Sequence, residues 1–147
     1  MKSNLKKLTI ASALTLIAGY AGIASAHDLL NQPIGATLSA ADYFQVTCSD
    51  DGTGPAARLD VKVNDDTAGA SILSLQVQKG LLAKNTTDLA GANGVYSPLV
   101  SVAGGNGVYN VLVNKTTVAA RQYDIQYHCM TAGNLHTGTS IAQKQNQ

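Results

Sequence analysis

Apolar and polar residues alternate with a period of two along most of the chain. The stretch ARLDVKV (57–63) sets Leu59, Val61 and Val63 on one face and Arg58, Asp60 and Lys62 on the other. Successive side chains of a strand point to opposite faces, so this rhythm predicts strands with one face buried. DYFQVTC (42–48) groups Phe44, Val46 and Cys48, and SILSLQVQ (71–78) groups Leu73, Leu75 and Val77. GVYSPLVSV (94–102) and GVYNVLVN (107–114) share an opening and are joined by AGGNG, which predicts a hairpin. RQYDIQYHC (121–129) sets Tyr123, Ile125, Tyr127 and Cys129 inward, leaving Asp124, Gln126 and His128 outward. Leu59, Val61, Val63, Val111, Ile125 and Tyr127 are the expected core.

Between these runs lie SDDGTGP, NDDTAG and NKTTVAA, all turn chemistry. Residues 79–93 read as a long connection or one further short strand. No helix longer than a turn or two is required anywhere. All nine acids are aspartate and none is glutamate, a composition with its Thr, Gly and Val that favours strands and turns over helices. Six or seven short antiparallel strands predict an all-β fold, a single antiparallel β-sandwich.

The first 26 residues read differently. Lys2, Lys6 and Lys7 precede an uncharged stretch from Leu8 to Ile23, and Ala24-Ser25-Ala26 supplies small residues for cleavage. This is the pattern of a secretory signal peptide (1–26), leaving a domain at 27–147 with no membrane span once the signal is removed. There is no cysteine at the cut to carry a lipid. Three of the ten basic residues leave with the signal, so seven face nine aspartates. That balance gives no electrostatic reason to expect nucleic acid as a partner. Export places the chain in the periplasm or outside the cell, where two thiols on inward faces become a disulfide. A Cys48–Cys129 bond closing so long a loop stabilises the fold by about 4–5 kcal/mol on the chain-entropy account.

Tyr127-His128-Cys129 on a late strand, paired with Cys48 on an early one, resembles the immunoglobulin-like sandwich. That resemblance implies an inter-sheet disulfide, although the chain has no tryptophan to pack beside it. The Gly107-Val108-Tyr109, Val113, Tyr123, Tyr127 rhythm also resembles small exported bacterial β-sandwich modules.

Enzyme signatures are absent: there is no GxSxG, HExxH, P-loop or GxGxxG. Asp50-Asp51 and Asp65-Asp66 sit in turn contexts without the alternating spacing of a calcium loop. Catalysis is not expected. Three histidines remain: His27, His128 and His136. Alternation puts His128 outward and solvent-accessible beside Cys129, with Met130 on its face and His136 beyond a turn at TAGN. Cleavage after Ala26 makes His27 the first residue, whose α-amine and imidazole together close on a metal ion. Nitrogen ligands suit Cu(II) and a thioether suits Cu(I). This resembles periplasmic copper-carrier and copper-resistance proteins, and the resemblance implies an amine-plus-imidazole role for His27 and a further nitrogen from His128 or His136. The expectation is an exported non-catalytic binding or structural protein, associating through sheet edges with itself or with an envelope or matrix partner. The alternative is a copper-binding protein.

Overall fold

The computed structural model describes residues 27–147; the expected signal peptide (1–26) lies outside the described residues. Among the described residues the chain forms nine strands and no helix, so none is long and apolar enough to cross a membrane. The strands are β1 (His27–Ile34), β2 (Ala41–Cys48), β3 (Arg58–Asp65), β4 (Leu73–Lys79), β5 (Leu82–Asp88), β6 (Val100–Val102), β7 (Gly107–Lys115), β8 (Arg121–Met130) and β9 (Thr139–Gln145). They build a four-stranded sheet, β1-β8-β3-β6, and a five-stranded sheet, β5-β4-β7-β2-β9, with every pairing antiparallel.

The two sheets pack face to face around the residues that alternation selected. Phe44, Val46, Leu59, Val61, Val63, Leu73, Leu75, Val77, Val111, Val113, Tyr123 and Ile125 are all fully buried, and Tyr127 is nearly so. Cys48 of the five-stranded sheet is bonded to Cys129 of the four-stranded one, with their Cα atoms 5.5 Å apart. The sandwich and its inter-sheet disulfide are therefore present as expected.

The expected hairpin between 94–102 and 107–114 does not form. β6 pairs with β3, and β7 lies in the other sheet between β2 and β4. Both edges of β7 are taken by long ladders, so no edge is left for a second NGVY strand. Of the 94–102 run only Val100–Val102 is strand, because Pro98 interrupts any ladder before it. The glycines of AGGNG turn the chain from one sheet to the other. A Cβ at Gly104 would stand 2.6 Å from Lys79 Cδ and 3.0 Å from the Tyr109 hydroxyl, and Gly105 has φ +70°. β1 and β9, both edge strands, were not anticipated. Their outward positions are hardly more polar than their inward ones, so they carry little alternation.

One end of the sandwich is closed by a buried ion pair. Arg121, at the start of β8, donates from Nε and Nη2 to both oxygens of Asp65 at the end of β3, at 2.7–3.2 Å. Nη2 also donates to the Thr67 carbonyl, and Nη1 to that of Ala68. The fork thus holds the 66–70 loop as well as the strand ends. The side chains are 4% and 0% exposed, so either charge left alone would be desolvated and uncompensated. Arg121→Ala should lower unfolding free energy by about 3–5 kcal/mol in urea titrations. Tyr127→Ala should lower it by about 3 kcal/mol or more, since the ring fills the core. Losses below 1 kcal/mol at either position, on the scale of ordinary surface substitutions, would contradict this packing.

Candidate functional site

The site is set by the alternation of β8. Cys129 must point inward to reach Cys48, so His128 points outward from the four-stranded sheet. β1 pairs with β8 so that His27 stands opposite Tyr127, next in the ladder to His128. After Met130 the chain reverses in a turn over 131–134. Thr131 N donates to the Leu135 carbonyl at 2.8 Å and Asn134 N to the Thr131 carbonyl at 3.1 Å. Asn134 adopts φ +61°, a conformation asparagine tolerates better than most residues. Met130 and His136 then pair as an isolated bridge, and Thr137 N donates to the Cys129 carbonyl.

The outcome is a three-histidine cluster. The His128 and His136 rings lie 4.6 Å apart between centroids, tilted by 57°. The His27 ring lies 6.4 Å from that of His128, nearly edge-on at 64°, and 5.8 Å from Tyr127. All three residues that the sequence nominated are thereby brought together. His128 faces outward but is half-buried between its neighbours, not freely accessible as expected. Met130 is buried, although it is not among the residues of the inter-sheet core.

Two donor atoms in the cluster are unpartnered. Nδ1 of His27 and Nδ1 of His128 are sealed from solvent without a hydrogen bond. A buried polar atom usually has a partner, and its absence marks a place where one fits. Still, among the described residues no group of three or more His, Cys, Asp or Glu side chains is arranged so that it could hold a metal ion. The rings are neighbours whose nitrogens must turn to meet.

Burial, more than charge, favours the neutral ligand form of His128. Burial lowers its proton affinity below the usual 6.5, and the neighbouring His136 and His27 lower it further, outweighing Asp28 and Asp60. Asp60 faces His128 across the ladder but accepts from Arg58 Nε at 2.9 Å, so its charge is partly spent there. Asp28 accepts from Gln126 at 2.9 Å. A neutral imidazole can bind a metal; an imidazolium cannot.

A cleft of about 540 Å³, lined by Ile34, Thr67, Arg121 and Gln147 among others, lies at the opposite end of β8. Its one charged side chain is Arg121, already committed to Asp65, so the cleft offers little chemistry. Sequence reasoning missed a second outward cluster, Asp66 with Asp124, because these residues meet only through the pairing of β3 with β8. Comparison with protein-family models, with curated proteins and with solved structures found no match.

The lowered His128 value has a consequence for stability. The unfolded chain binds a proton near pH 6.5 and the folded chain binds it only at lower pH, so stability falls as pH drops through that window. Metal-free protein should lose stability between about pH 7 and pH 5, and His128→Gln should flatten the loss. Denaturant midpoints that run parallel in the two proteins across this range would rule the coupling out.

Proposed function

We propose that the chain is an exported, non-catalytic β-sandwich that binds a copper ion through His27, His128 and His136. The observation carrying this is the convergence of three histidines from β1, β8 and the segment after the 131–134 turn. An imidazole nitrogen about 2.0–2.1 Å from a metal puts the ring centre about 3.2 Å away. Two rings on one ion then stand about 4.5 Å apart at a right angle and about 6.4 Å apart in line. The separations in the cluster are 4.6 and 6.4 Å. They suit one neighbouring and one opposite position of a tetragonal centre, the geometry Cu(II) favours.

Cleavage after Ala26 adds the α-amine of His27 as a fourth nitrogen beside its own imidazole. The disulfide fits the oxidising compartment that export implies. The inter-sheet bond between an early and a late strand, with Tyr127 two residues before Cys129, supports an immunoglobulin-like reading of the sandwich. A second reading, sheet-edge association in the periplasm, at the cell surface or in the matrix, is supported by β9. This edge strand leaves one backbone edge unpaired, and most of its side chains are exposed.

Copper binding is tested with the matured chain and with a form carrying one extra N-terminal residue. The extension keeps the imidazole but moves the amine out of ring-closing reach. Calorimetric Cu(II) affinity should fall about a hundredfold or more in the extended form and in His27→Ala, as when a ligand is lost. Metal-free melting temperature should stay the same in the extended form. Electron paramagnetic resonance of the native complex should show a tetragonal, nitrogen-rich centre that changes in His128→Ala and His136→Ala. Equal binding by native and extended forms, or no binding tighter than micromolar in either, leaves sheet-edge association as the standing function.

A further inference from the structure

A second group of polar side chains lies on the outer face of the four-stranded sheet, apart from the histidines. Asp124 sits in the middle of β8, opposite Asn64 of β3, and Asp66 follows the end of β3. The Asp66 and Asp124 carboxyls are within hydrogen-bonding reach of each other. Among the described residues neither takes part in a salt bridge. Of the nearby cations, Arg121 holds Asp65, and Lys62 Nζ lies 4.5 Å above the centre of the Tyr96 ring.

The surroundings deepen the negative field. Asp65 and Asp88 act on Asp66, and Asp28, Asp66 and Asp124 act on Tyr96, which lies near Asp124. Burial first, and then the facing Asp124 carboxyl, push Asp66 up to about 6. At neutral pH Asp66 is therefore mostly ionised, beside the Asp124 carboxyl and without a salt-bridge partner.

An independent observation points to what belongs there. Asn64 is only 4% exposed, and its Nδ2 donates to Asp66 Oδ1. Its Oδ1 is sealed from solvent with no hydrogen-bond donor. A buried carbonyl oxygen without a donor is unfavourable, and a cation satisfies it as well as a donor does. Asp124 meanwhile is held in place by the Asn31 amide, which donates to its Oδ1 at 2.7 Å.

We propose that Asn64, Asp66 and Asp124 form a binding site for a hard divalent cation of the calcium class. The set is all oxygen, which suits a hard ion and not copper or zinc. Three side-chain oxygens leave the remaining positions of a six- to eight-coordinate ion to water, which makes a weak site of the kind found in extracellular modules. Calcium is favoured over magnesium because irregular, strand-borne ligands do not build the near-ideal octahedron magnesium demands. The ion would tie the end of β3 to the middle of β8, and the proposal uses none of the histidines.

Terbium serves as the probe, since it mimics calcium and emits when a nearby tyrosine is excited. Tyr96 lies near Asp124, so it is placed to sensitise a bound ion. The matured chain should give tyrosine-sensitised terbium emission that calcium displaces. Asp124→Asn and Asp66→Asn should each weaken binding at least about tenfold, as expected when a carboxylate ligand is replaced. Tyr96→Phe should dim the emission while calorimetric calcium binding persists, and His27→Ala should change neither. Without terbium, about 10 mM calcium chloride should raise the melting temperature above that in sodium chloride of equal ionic strength. That rise should disappear below the Asp66 value of about 6. Terbium emission undiminished in both carboxamide variants, or a melting temperature that calcium leaves where sodium chloride does, overturns the site.

Discussion

The Cys48–Cys129 bond is the constraint on which the rest of the arrangement rests. It joins β2, paired on both sides in the five-stranded sheet, to β8, paired on both sides in the four-stranded sheet. With Cys129 held inward, every second residue of β8 has its face decided. Tyr123, Ile125 and Tyr127 go to the core, and Asp124, Gln126 and His128 go to the outer face. A one-residue slip would exchange those sets and bury a histidine, an amide and a carboxylate. The bond therefore stabilises the sandwich and also fixes where its polar chemistry is displayed.

That display is divided along one strand. Near the C-terminal end of β8, three imidazoles gather, and burial, with the neighbouring His136 and His27 adding to it, lowers the proton affinity of His128. In the middle of the same strand, two carboxyls meet and burial with repulsion lifts Asp66 to about 6. The same physical causes act in both places, with opposite consequences. The histidine end is left with nitrogen lone pairs and little charge, suited to a softer ion. The aspartate end is left with oxygen atoms and excess negative charge, suited to a hard one. Asp60 and Lys62 lie between them on β3, the first paired with Arg58 and the second placed over Tyr96.

The buried Arg121–Asp65 pair plays the complementary part at the other end. Asp65 and Asp66 are adjacent in sequence, yet one is wholly buried with an arginine and the other is half-exposed beside a second carboxyl. Strand alternation separates them: the inward neighbour needs a buried cation and the outward one does not have it. Read as a dipeptide, Asp65-Asp66 is a turn initiator. In the folded chain its two members have unrelated roles.

Much of the sandwich was legible because alternation is a local property. A period of two assigns each residue of β2, β3, β4, β7 and β8 to a face without reference to any partner strand, and that assignment delivered the core and the outward position of His128. The pairing of the cysteines followed from there being only two, both inward. The edge strands β1 and β9 were not legible, because each turns only one or two apolar residues, Leu29 with Ile34 in β1 and Ile141 in β9, onto the core, too few to set a rhythm. The false hairpin has the same origin. Similar sequence on two segments says that each makes a strand, but the edges of β7 were taken by β2 and β4, and only the assembled sheets show that. The meeting of His136 with His128 was foreshadowed by the TAGN turn, a local signal. The approach of His27, the buried Arg121–Asp65 pair and the Asp66–Asp124 contact had no local signal at all. They arise from strand neighbours distant in the chain, and that choice is made by the packing of whole sheets, whereas facing is decided by the backbone of a single strand.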